Sequence, residues 1–357
     1  MIMFWVALLA ISILLYVLLD GFDLGVGMLF GVASDERRRR AMMSAVAPIW
    51  DGNETWLVVV GVILWGAFPI VYSILMSAFY LPVVLMLTGL ILRGVTFEYR
   101  GRTSRMRWLW DASFAGGSLV AAFMQGLMVG ALVEGLPLSD SRYVGGMFGW
   151  LSLFAVLCGI GLCLGYSLLG ACWLVRKCED EVREEAYRLI PYLSVALLVF
   201  LIVVFAYALA EHLPVMSLWL ERPYLLIFPV IGALAAIALA ASVRLREDAA
   251  PSVMVALIFA AAFCTLAISF WPYMIPFAIT FEEAAAPYSS LAFMFWGEGL
   301  FVFPLMLLYT VISWSVFRGK VGSASDFSEC GHRGGEASAF EWWTRGHPPI
   351  SVQFRRL

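Results

Sequence analysis

Apolar runs of roughly twenty residues, separated by short charged bursts, recur along the chain as far as residue 318. A helix rises 1.5 Å per residue, so about twenty apolar residues cross the ~30 Å hydrocarbon core of a bilayer. The runs predict nine transmembrane helices, over 3–30, 50–70, 73–97, 109–133, 147–175, 188–210, 223–243, 252–275 and 289–317. A β-barrel would show shorter segments of alternating hydrophobicity, so the predicted fold class is an all-α polytopic membrane protein. Pro69 fits a tight turn between the second and third spans, and Pro272 falls inside the eighth. The first run lacks a basic leader and a small-residue cleavage site, so it reads as a retained span. Residues 319–357 are rich in Gly, Ser and charge and lack helical periodicity. They predict a polar, disordered cytoplasmic tail behind a transmembrane domain of residues 1–318.

Composition agrees with this pattern: 62% of the 357 residues are apolar and 14% are charged. The net charge of −3 hides a strong sidedness. Arg37 to Arg40 fill the first loop, and five cations from Arg93 to Arg107 lie around the third. Arg176, Lys177, Arg183 and Arg188 lie in the fifth, Arg244 and Arg246 in the seventh, and Arg318 and Lys320 follow the last span. With the arginines of the tail, 21 cations fall on one side, against Arg142 and Arg222 on the other. Short loops rich in Lys and Arg stay in the cytoplasm. The expected orientation is N-terminus outside, C-terminus cytoplasmic.

An acid placed at the centre of a membrane helix costs about 2.5–3.5 kcal/mol on insertion scales, so each one needs a reason. In "LLDGFDLGVG" (18–27), Asp20 and Asp23 are spaced i, i+3, which puts both on one helix face. Gly21 and Gly25 around them form a GxxxG, which lets a neighbouring backbone approach. Asp20 lies about 25 Å from the outer start of its helix, near the cytoplasmic boundary. "PIWDGNETW" (48–56) begins the second span from that side, and Asp51 and Glu54 repeat the i, i+3 spacing, with Trp50 and Asn53 beside them. Arg93 and Asp111 reach the same depth from the next two spans. The bland reading is two pairs of helix-end acids, favoured by the helix dipole or by the nearby arginines. The functional reading is a hydrated proton inlet, in which crowded carboxylates take up protons near neutral pH. Glu298, in "FWGEGLFVFP" (295–304), is the deepest acid and reads either as a protonated, hydrogen-bonded group or as a functional one. Gln125 reads as a helix–helix hydrogen bond.

Six cysteines form no CxxC pair and read as small buried apolar residues, with no metal site. Three histidines, His212, His332 and His347, fall at a span end and in the tail. Haem in membrane proteins needs facing ligands inside the bundle, and no convincing pair exists here. No nucleotide fingerprint is present. Read from its residues, the chain is a membrane scaffold with an acidic, cytoplasm-facing inlet that works with a partner. A proton-coupled secondary transporter fits loosely, although the acids crowd one surface and no repeat is visible. A purely structural membrane subunit fits as well.

"DGFDLGVGML" (20–29) followed by "APIWDGNETWLV" (47–58) resembles subunit II of the cytochrome bd family of quinol oxidases. "FPIVYS" (68–73), "LRGVTFEYR" (92–100), "WLWDASFAGG" (108–117) and "FPLMLLYT" (303–310) fit the same family, in order and at its spacing. The resemblance covers the first nine-tenths of the chain, and the tail departs from it. It implies nine spans, arranged as two four-helix bundles with one peripheral helix, and a pseudo-twofold pairing with subunit I. It implies haem b and haem d ligated by subunit I and none by this chain, with quinol oxidised outside and dioxygen reduced to water by cytoplasmic protons. It assigns Asp51 to the mouth of a proton channel between the subunits, flanked by Trp50 and Asn53. Asp20 and Asp23 fall to the inlet or its support, with Glu54 where some members carry glutamine. Arg93, Asp111 and Glu298 are support candidates, although no family motif covers Glu298. The chain itself is then a non-catalytic part of an oxidoreductase complex in the bacterial plasma (inner) membrane. The resemblance leaves room for a structural quinone or lipid and for small single-span accessory subunits, and none for nucleic acid.

Overall fold

The computed structural model describes residues 1–103, 105–211 and 223–321. The expectations for His212, Arg222, Cys330, His332, His347 and the tail beyond residue 321 lie outside the described residues.

The chain opens with α1 (Ile2–Val32). The arginines after it form a second helix, α2 (Glu36–Val46), where the sequence pattern predicted only a loop. Asp35 caps it by accepting the Arg37 N–H at 3.3 Å. Arg38 bonds Glu181 and Glu185, and Arg39 bonds Asp111. Together these pairs tie α2 across the arginine-rich end of the bundle.

The predicted second and third spans become three pieces: α3 (Trp50–Ala67), α4 (Pro69–Ala78) and α5 (Tyr80–Tyr99). The residue before a proline is pushed out of the α region, and Phe68 sits at φ −134°, ψ 60°. Pro69 therefore starts a new helix, where its missing N–H costs nothing, rather than sitting in a single tight turn. The bend between α3 and α4 is 120°. A second break at Phe79 releases α5.

α6 (Arg107–Glu134) stops at Gly135, whose φ of 96° suits a residue without Cβ. A hairpin of β1 (Leu138–Ser139) and β2 (Arg142–Tyr143) follows. α7 (Leu153–Lys177) starts six residues later than the predicted span because Ser152 caps it, accepting the Ala155 N–H at 2.9 Å. Next come α8 (Asp180–Ala210), α9 (Ile227–Arg244) and α10 (Ala250–Ser269). Residues 270–275, predicted as the end of the eighth span, instead run into a hairpin of β3 (Tyr273–Ile275) and β4 (Ile279–Thr280).

The short α11 (Phe281–Ala284) begins with a Thr280–Glu283 capping box. The last span comprises α12 (Tyr288–Met294), a π-helical stretch Phe295–Val302 and α13 (Phe303–Val316). Eight helices among the described residues are long and apolar enough to cross a membrane, and counting the bent pair as one span gives nine.

α1, α5, α6 and α7 pack around a shared core, while α8 and α10 lean on α7 and α9 leans on α10. α1 crosses α7 closely. A Cβ on Gly25 would collide with the Tyr166 carbonyl and lie 2.9 Å from the Gly170 nitrogen, so the GxxxG expectation is borne out. At the end away from the arginines, Trp5, Leu8, Leu9, Trp56, Val59 and Ile63 form an apolar layer between α1 and α3. It is roofed by Phe68, Val71 and Ile74, together with Ile275 and Ala284.

Candidate functional site: a buried acid–arginine cluster

Asp20, Asp23 and Arg93 lie inside the bundle with at most 1% of their surface exposed. The i, i+3 spacing does put both acids on the inner face of α1, but they meet different neighbours. Arg93, near the end of α5, donates from Nη2 to Asp20 Oδ1 at 2.8 Å. The same nitrogen reaches Glu54 Oε2 at 3.4 Å, and the Glu54 side chain is 26% exposed. Asp23 faces α3 instead, where Asn53 Nδ2 donates to its Oδ2 at 2.8 Å. That nitrogen also reaches the Leu19 carbonyl at 3.3 Å, and Trp314 Nε1 on α13 reaches Asn53 Oδ1 at 3.5 Å. Asn53 therefore joins α1, α3 and α13. Trp50 stacks on Phe97 at 4.9 Å, with the Arg93 guanidinium 6.0 Å from its ring, and walls the cluster. A Cβ on Gly52 would stand 2.7 Å from the Tyr309 ring, which would have to move aside.

Several polar atoms of this cluster have no hydrogen-bond partner among the described residues: Asp20 Oδ2, Asp23 Oδ1, and Nε and Nη1 of Arg93. Buried polar atoms are almost always satisfied, by protein or by ordered water. Four orphans in one place mark a locus built for something besides packing.

The structure departs from the expectation of four carboxylates meeting together. Asp51 is exposed on the outside of the α3 start and bonds none of the other acids. In the first turn of a helix that buries Gly52 and Asn53, its position around the axis carries it off the bundle. Asp111 belongs to a separate network at the arginine-rich end. It takes Arg39 at 2.8 Å and Arg100 at 2.5 Å, and Arg100 also grips Glu36 at 2.8 Å. Glu298 is half-buried in the π-helical stretch, with no hydrogen-bond partner among the described residues.

Gln125 does bridge helices, as expected. It donates to Tyr16 Oη at 2.8 Å and accepts from Tyr166 Oη at 2.9 Å, one helical turn beyond Asp20. Sequence reasoning missed Tyr16, Tyr166 and Trp314, because an aromatic in an apolar run carries no signal of its polar edge. Among the described residues, no group of three or more His, Cys, Asp and Glu could hold a metal ion.

A model of the cytochrome bd terminal oxidase subunit II family matches residues 1–317. The chain belongs to that family. The probable cytochrome oxidase subunit 2 of Haemophilus influenzae is 29% identical, over 89% of this chain and 94% of its own length. The cytochrome bd-I ubiquinol oxidase subunit 2 of Escherichia coli K12 is 28% identical, over 88% of this chain and 93% of its own. Among solved structures, the bd oxidase from Geobacillus thermodenitrificans shares the fold, with a TM-score of 0.70 at 16% identity, covering 88% of this chain and 96% of that one. This chain is thus subunit II of a bd-type quinol oxidase, a multi-pass protein of the bacterial inner membrane.

Proposed function

We propose that this subunit supports a haem-bearing subunit I and supplies the cytoplasmic proton-uptake path for dioxygen reduction at the interface between the two. In this reading the arginine-rich end is cytoplasmic. Asp51 gathers protons on the surface that meets the partner. Glu54, one turn deeper and partly exposed, passes them to the buried pair Asp20 and Asp23. Arg93 and Asn53 hold that pair in place, and Trp50 closes its side. Asp111 acts only as a structural anchor.

The observation that carries the reading is Arg93, a single buried guanidinium that touches both the sealed Asp20 and the partly exposed Glu54. A buried ion pair is weak support for stability, and an intramembrane ionisable group is by default a functional one.

Haem b and haem d would be held by subunit I. The acid cluster here offers carboxylate, guanidinium and amide groups rather than the imidazole, thiolate or thioether that usually hold haem iron. When bound in the partner, the haems supply the electron transfer and oxygen chemistry; this chain moves protons and holds shape. Quinol and dioxygen act at the level of the whole complex. A structural quinone or lipid against the exposed apolar helices, and small single-span accessory subunits, belong to the same proposal.

The test is Asp51→Asn in the complex purified with its partner. Dioxygen reduction with a soluble quinol should fall several-fold while the reduced-minus-oxidised haem spectrum keeps its wild-type amplitude. Normal turnover would take Asp51 out of the path and leave a purely structural subunit.

A further inference from the structure

The three acids of the cluster are not equivalent, and their partners divide the work among them. Among the described residues, one cation faces all three, the buried Arg93. It is committed to Asp20 at 2.8 Å and shares its nearer nitrogen with Glu54. Glu54 also reaches solvent or partner through its exposed quarter. Asp23 has neither relief. It is 1% exposed, and among the described residues its Oδ2 meets only the neutral amide of Asn53 and its Oδ1 has no partner.

The amide cannot turn to change this. Its nitrogen is also engaged with the Leu19 carbonyl, and its oxygen faces the Trp314 N–H. The charged groups that act on Asp23 are Asp20 on α1, Glu54 on α3 and Arg93 on α5, beside the neutral amide of Asn53. None brings it a cation within hydrogen-bond distance. One guanidinium offsets one carboxylate, and a second anion sealed in the same place would be uncompensated.

Resting on the proton-uptake reading above, we propose that Asp23 is the proton-holding carboxyl of the cluster, while Asp20 stays ionised as the fixed counter-ion of Arg93. At rest Asp23 is a neutral acid. When reduction of dioxygen in the partner draws a proton, the O–H bond of Asp23 breaks and leaves a carboxylate held by the Asn53 N–H and the field of Arg93. A proton arriving from the Glu54 side restores the acid. No electron moves in this chain. Arg93 and Asn53 are positioning residues, and the unpartnered Arg93 nitrogens and Asp23 Oδ1 are where ordered water completes the transfer.

The experiment is redox-induced infrared difference spectroscopy on the intact complex, in H2O and in D2O. The wild type should show a protonated-carboxyl C=O band that moves down in D2O. Asp23→Asn should lose it with the haem spectrum intact, and Asp51→Asn should keep it. Should Asp23→Asn fail to assemble, Asp23→Glu must move the band. A wild type without such a band, or a band unchanged by both Asp23 variants, overturns the assignment. Turnover on the same preparations separates the two claims. Loss of the band in Asp23→Asn with a normal rate in Asp51→Asn keeps the protonation assignment and removes the path.

Discussion

Replacing Arg93 with methionine isolates the electrostatics of the cluster. The side chain is fully buried, and its partner Asp20 lies 2.8 Å away with no exposed surface. Methionine fills similar space but leaves Asp20 without its cation. Breaking a buried pair by removing one partner costs about 3–5 kcal/mol, far more than the pair itself contributes. At about 2.1 cal/mol/K of unfolding entropy per residue, a chain of 357 residues moves its midpoint by about 1.3 °C per kcal/mol, so Arg93→Met should lower the Tm of the purified complex by roughly 4–7 °C. The double variant Asp20→Leu/Arg93→Met removes both charges and should recover most of that loss, with a coupling in the cycle of about 2 kcal/mol or more. The assay is the temperature at which the haem spectrum and monodisperse elution are lost, in matched detergent. A single variant that melts within about 2 °C of wild type would refute the premise that Asp20 carries a charge in a sealed place.

Gly25→Ala places a methyl on the Tyr166 backbone at the α1–α7 crossing. It should cost about 1–3 kcal/mol, read as the same loss of Tm and a lower yield of complex. At the arginine-rich end, Asp248 accepts from Lys320 at 2.7 Å and from Arg183. The hydrogen bond from Lys320, then those from Arg183, hold its carboxyl below the usual carboxylate range. A depressed folded-state value stabilises at pH above the unfolded value of about 3.9 and is lost as pH falls through the folded one. Protection of the amides at residues 317–321, relative to their intrinsic exchange rates, should therefore fall below about pH 4, and in Asp248→Asn it should be low at every pH.

The helices were legible because each carries its own apolar run, and α1 and α6 follow the pattern closely, while α8 begins eight residues before its predicted start at 188, in a charged stretch. What hydropathy could not resolve were its interruptions. The run over 55–92 carries no charge, so only the backbone limits around Phe68, Pro69 and Phe79 divide it into three helices. The sequence α2 was hidden by four arginines, whose partners Glu181, Glu185 and Asp111 come from distant segments. Within the site, the motif acids were readable as candidates and Arg93 as within reach. Which acid meets which partner was not, because helical spacing fixes the face of a residue and not the rotation of the helix that meets it. Asp51 and Glu54 differ by three positions, yet one looks out of the bundle and the other reaches Arg93.

The bend at Phe68 lays α4 across the far end of the bundle, over Ile63, Ala67 and the Trp56 layer. An enzyme that stores its work as a voltage is ruined by any wet thread running from one face of the membrane to the other. On the uptake path proposed above, the acids open toward one face and this apolar layer insulates them from the other. On that proposal the subunit admits hydrogen ions without opening a leak across the membrane.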